Sequence, residues 1–114
     1  MQFIEINKSY AGNMRVVDHE PNAWFLLEAD GDLVLDVYCS HSFISYSFTM
    51  LLNTEERNQF KASGREYIST LASEIQYSAP IASESNSQFK SRNTHEQYAR
   101  CVTDAIAEWR NSRT

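Results

Sequence analysis

The chain has 114 residues, 42% hydrophobic and 12% aromatic, with three Gly, two Pro and a formal net charge of -5. Those values describe one globular domain and exclude a disordered or low-complexity chain. No apolar run reaches the ~18 residues of a membrane-spanning helix.

Met1-Gln2-Phe3-Ile4-Glu5 has no basic stretch and an early Glu, so no signal peptide is expected there and the cytosol is the expected compartment. In a reducing compartment Cys39 and Cys101 are expected as thiols, and two cysteines alone lack the spacing of a zinc site.

Phe3-Ile4-Glu5-Ile6 reads as a first strand, and Asn13-Met14-Arg15-Val16-Val17 as a second, ended by Pro21 and Asn22. Trp24–Glu28 and Leu33–Tyr38 then flank Asp30-Gly31, the pair that a type I′ hairpin turn demands because both central residues need positive φ. Placing the turn there predicts Ala29 opposite Asp32, Leu27 opposite Val34, Leu26 opposite Leu35 and Trp24 opposite Val37. Trp24, Leu26, Leu33, Leu35 and Val37 share one face, the better core candidate; Phe25, Leu27, Val34, Asp36 and Tyr38 share the other.

Residues 43–52 alternate: Ile44, Tyr46, Phe48, Met50 and Leu52 point one way, and Ser45, Ser47, Thr49 and Leu51 the other. Asn53 with Glu56 forms a loose capping box, Thr54 being the other candidate cap. The spacing of Phe60, Tyr67, Ile68, Leu71 and Ile75 predicts one helix over 54–77, with Gly64 on its apolar stripe to let it approach the sheet. Residues 78–93, rich in Ser, Asn and Gln, read as a loop. Thr94-His95-Glu96-Gln97 is a capping box for a helix over 94–112, with Tyr98, Cys101, Val102, Ala105, Ile106 and Trp109 as its stripe. Strands grouped before helices give an α+β fold: an antiparallel sheet of about five strands followed by two helices packed on one face.

The chain carries no phosphate loop, dinucleotide fingerprint or GxSxG elbow. No two of His19, His41 and His95 have the i, i+4 spacing of helical metal ligands. Cys39-Ser40-His41 lacks an oxyanion signature, which favours a buried thiol and a surface imidazole. Asp18-His19-Glu20 would point alternately to opposite faces of a strand and so cannot converge on a metal without a bend. Glu55 and Glu56 fit the first turn of a helix, where carboxylates favour the dipole. Of the strand aromatics Trp24, Phe25, Tyr38, Phe43, Tyr46 and Phe48, most belong to a core, and Tyr38 beside Asp36 is the candidate contact pair. No catalytic residue, cofactor or metal is expected.

Charge is unevenly placed. Residues 1–53 hold seven acids against Lys8 and Arg15, whereas residues 54–114 hold eight acids and eight bases. An acidic field repels phosphate and attracts basic partners, which disfavours nucleic acid.

The run Tyr46-Ser47-Phe48-Thr49-Met50-Leu51-Leu52, then Glu55-Glu56, Phe60, Gly64, Tyr67-Ile68 and Leu71, preceded by the Trp24 to Tyr38 hairpin, resembles small bacterial immunity proteins. These accompany the toxins of contact-dependent growth inhibition and related polymorphic toxin systems. The resemblance spans about residues 24–75 and implies a class: a cytosolic protein that binds and occludes a toxin domain, usually a nuclease. The expected contact residues, from the charge, are Asp18, Glu20, Glu28, Asp30, Asp32, Asp36 and Tyr38, on a monomer. Two other classes stay open: a small-ligand or enzyme module with a pocket between sheet and helices, and a homo-oligomeric adaptor pairing through a sheet edge.

Overall fold

The computed structural model describes residues 14–41, 44–78 and 87–112. Four strands come first: β1 (Arg15–Glu20), β2 (Trp24–Ala29), β3 (Asp32–His41) and β4 (Ile44–Leu51). Helices α1 (Thr54–Ser63) and α2 (Arg65–Ser78) follow, then a 3-10 turn (Lys90–Arg92) and α3 (His95–Ser112). The strands form one antiparallel meander in the order β1-β2-β3-β4. The fold is α+β, with four strands among the described residues; the strand expected at Phe3–Ile6 lies outside them.

Local chemistry sets the turns. Ala23 N–H donates to the Glu20 carbonyl (3.0 Å) across Pro21 and Asn22, and Asn22 has φ 63°. Pro at the second position and positive φ at the third are the type II pattern, so Pro21 and Asn22 join β1 to β2 rather than merely ending a strand. Asp30 (φ 52°) and Gly31 (φ 87°) make the β2–β3 turn, and the register is as expected from Trp24↔Val37 to Ala29↔Asp32. In β1 the pairing slips at Val17, between Val16↔Leu27 and Asp18↔Leu26. A bulge of this kind bends an edge strand.

The expected single helix over 54–77 is two helices. Gly64 ends α1 with φ 71° and ψ -151°, its amide donating to the Phe60 carbonyl (2.7 Å). That backbone region belongs almost wholly to glycine. A Cβ at position 64 would meet nothing within 4 Å, so Gly64 is there for its conformation, not for a close approach to the sheet. Gly64→Ala is therefore expected to cost about 1–3 kcal/mol in urea denaturation, with no steric clash behind the loss.

Both faces of the sheet are covered. On the first, Trp24, Leu26, Leu35, Val37, Phe48 and Met50 pack against Ile68, Leu71, Ala72 and Ile75 of α2. On the second, Leu27, Ala29 and Val34 pack against Tyr98, Val102 and Ala105 of α3. The expectation that both helices share one face is corrected by this arrangement. Its physical reason is that the hairpin is apolar on both sides, and Leu27 and Val34 are as fully buried as Leu26 and Leu35.

The passage from one face to the other runs past the β4 edge. Thr94 donates both its amide (2.7 Å) and its hydroxyl (2.9 Å) to the Thr49 carbonyl, and Arg92 donates to the Leu51 carbonyl (2.7 Å). Edge carbonyls that would otherwise template another strand are thereby occupied. Arg92 also pairs with Glu56 (2.7 Å). Glu56 in turn completes the capping box of α1: Asn53 N–H donates to its carboxylate and Glu56 N–H to Asn53 Oδ1, both at 2.8 Å.

Candidate functional site: the acidic sheet and the cleft beneath the last helix

Residues 14–53 carry six acids against Arg15, whereas residues 54–114 are formally neutral. The structure sorts the seven expected contact residues into three groups. Asp18 and Glu20 stand on the first face at the β1 edge, where Arg65 from the start of α2 bridges them (3.2 and 2.7 Å). Arg65 also donates to the His19 carbonyl (3.1 Å), and its guanidinium lies 5.2 Å from the Trp24 ring.

Glu28, Asp30 and Asp32 surround the β2–β3 turn. Glu28 pairs with Arg15 (2.8 Å), Asp30 is exposed, and Asp32 is half-buried. Glu28 lies four positions along the strand from Trp24, about 13 Å at the usual rise. The turn acids and the Arg65 cluster thus occupy opposite ends of β2.

Asp36 and Tyr38 form the third group, on the second face. Thr49, fully buried, donates its hydroxyl to Asp36 Oδ1 (2.8 Å) and so orients the carboxylate. Tyr38 is 45% exposed and donates to Ser45 Oγ (3.1 Å). Both line a cleft of about 590 Å³ between the sheet and α3. Phe25 and Ser47 contribute to its floor, Val102 and Ile106 to its wall, and Arg110 to its lining. The cleft exists because Ala99, Thr103 and Ala107 make a row of short side chains along α3 at i, i+4 and i+8. That row is legible in the sequence, but its meaning depends on α3 lying over the second face.

Beside the cleft, His19 stacks on Phe25 (centroids 5.4 Å apart) and meets the edge of Trp109 (4.5 Å). Trp109 also packs on Phe25 (5.5 Å), and the Arg110 guanidinium lies 5.7 Å from the Phe25 ring. His19 therefore faces away from Asp18 and Glu20, as strand alternation requires. Among the described residues no cluster of His, Cys, Asp or Glu is placed to hold a metal.

Cys39 and Cys101 are free thiols. Cys39 belongs to the core of the first face and Cys101 packs against that of the second, so the sheet stands between them. Burial pushes the Cys39 thiol up to about 11, against the lowering effect of the Tyr46 hydroxyl and with help from the Asp36 charge. A thiol so disposed is a poor nucleophile at neutral pH. The side chains of His41 and His95, and the whole of Phe43, lie outside the described part.

No helix of the described residues is long and apolar enough to cross a membrane. Compared with models of protein families, with curated proteins and with solved structures, the chain matches none.

Proposed function

We propose that this chain is a non-enzymatic, protein-binding domain that captures a basic partner, in the manner of an immunity protein occluding a toxin. The observation that carries the reading is the division of charge: the strand-bearing segment 14–53 holds six acids and one base, and the helical remainder balances. A field so placed steers a basic surface toward the end of the sheet that carries the β2–β3 turn and complements it there. A domain that cleaves nucleic acid presents such a surface, because it must attract phosphate. In this reading the protein works as a monomer in the cytosol, binds no nucleic acid and needs no cofactor.

Affinity capture from lysate of the source cell tests it, with wild-type chain and the Glu28→Lys/Asp30→Lys/Asp32→Lys variant as parallel baits. A basic protein held stoichiometrically by the wild type and released from the variant is the expected result. Equal retention by both baits would remove the β2–β3 turn from the interface, and retention of no basic protein by the wild type would overturn the reading.

The cleft favours a second reading, a small-ligand module, since about 590 Å³ falls within the range of ligand pockets. A small molecule that raises the Tm equally at low and high salt would support it over the first.

A further inference from the structure

The cleft beneath α3 is held between two anchors. Tyr98 packs with Met14, Leu27 and Val34 toward the start of the helix, and Trp109 packs on His19 (4.5 Å) and Phe25 (5.5 Å) near its end. Between them the helix presents only the short side chains of Ala99, Thr103 and Ala107, and about 590 Å³ is left unfilled.

The charges in that space are already engaged. Asp36 accepts from the buried Thr49 hydroxyl (2.8 Å), and Arg110 sets its guanidinium 5.7 Å from the Phe25 ring. One carboxylate and one guanidinium also cancel, so the lining has no net charge. The uncharged polar groups differ. The side chains of Asn22, Ser47 and Thr103 line the cleft and make no hydrogen bond among the described residues.

We propose that the cleft binds an uncharged small molecule with an apolar body and a hydroxyl or amide edge. The body lies against Val102 and Ile106, and the edge meets Asn22, Ser47 and Thr103. The proposal rests on the second reading, that of a ligand site in the cleft, and names the class of ligand. Two physical effects select a neutral occupant. A charged ligand would give up hydration without gaining a counter-charge, because each charge in the lining has its own contact. A neutral donor or acceptor instead exchanges water for unengaged hydroxyls and an amide, while its apolar body leaves water. A largely apolar wall with a few polar groups is also the usual make-up of a small-molecule site.

The test is an NMR titration of the full 15N-labelled chain with benzamide, benzoate and benzamidine, which share a ring and differ in charge. Benzamide is expected to shift the amides of Asp36 to Tyr38 and of Thr103 to Arg110, and not those of Asp30 and Gly31. Benzoate and benzamidine should each bind about tenfold more weakly. Two variants then unbalance the lining. Arg110→Ala should move the preference to benzamidine. Asp36→Asn, which keeps an acceptor for Thr49, should move it to benzoate. Thr103→Trp, at an exposed helical position, should fill the cleft and abolish the shifts while the rest of the spectrum stays native.

Tighter binding of benzoate or benzamidine by the wild type would overturn the neutral class and leave the cleft a ligand site. So would a ranking that neither Arg110→Ala nor Asp36→Asn alters. Shifts from none of the three probes, shifts confined to another surface, or binding undiminished in a natively folded Thr103→Trp variant would remove the ligand site itself. None of these results bears on the basic partner, which the lysate capture tests.

Discussion

Leu27→Ala is expected to destabilise the domain by about 2–5 kcal/mol, as much as Leu26→Ala on the opposite face. In a sheet covered on one side only, the two neighbours would differ sharply, because one would already face water. Here both are fully buried, Leu26 against the α2 core and Leu27 against Met14, Val34 and the apolar stripe of α3. Each truncation removes apolar contact and leaves a cavity that a close-packed interior closes only in part. Urea denaturation of the two variants makes the comparison. A loss below about 1 kcal/mol for Leu27→Ala, with a large loss for Leu26→Ala, would mean that α3 is not docked on the second face.

Glu56→Ala is the second large effect, about 2–4 kcal/mol, because it disables two devices at once. It removes the carboxylate that accepts from Asn53 N–H, and it leaves the Arg92 guanidinium part-buried without its counter-charge. Arg92 still reaches the Leu51 carbonyl, so the loss falls short of fully orphaning a buried ion. The double variant Glu56→Met/Arg92→Met should be less destabilised than Glu56→Ala, since neither charge is then stranded.

The same pair sets a pH dependence. Burial pushes the Glu56 carboxyl up, but hydrogen bonds from Arg92 and Asn53, together with the Arg92 charge, outweigh it and hold the group below its ordinary 4.5. A carboxyl lowered on folding contributes stability that is present above the unfolded value and is lost as pH falls through the folded one. Between about pH 6 and pH 3 the urea midpoint of the wild type should therefore fall more than that of Glu56→Gln. Parallel curves would show that Glu56 is not linked to folding.

Much of the fold is legible in the sequence, where local chemistry decides it. Asp30-Gly31 set the hairpin register residue for residue, and Asn53 with Glu56 marked the start of α1. Alternation in β4 separated Phe48 and Met50 from Thr49 and Leu51. Two features escaped for identifiable reasons. Gly64 sits at helical spacing among apolar residues, so the pattern alone favours continuity, whereas its backbone conformation breaks the helix. The second face of the hairpin carries Asp36 and Tyr38 among Phe25, Leu27 and Val34, a mixture that does not say which side a helix will cover.

The site was less legible than the fold. Sequence charge treated the acids of residues 14–53 as one surface. Register and face divide them among the Arg65 cluster, the β2–β3 turn and the cleft. The pairing of Asp36 with Tyr38 was visible as spacing along β3. Its setting against Thr103 and Arg110 required the placement of α3, a long-range contact that no local pattern encodes.

The most direct measurement is the association rate between this chain and the basic partner proposed for it, followed from low to high salt. Electrostatic steering by the acidic sheet predicts a rate that falls by about tenfold or more across that range, while dissociation changes far less. An association rate indifferent to salt would contradict recognition by charge and, with it, the basic partner.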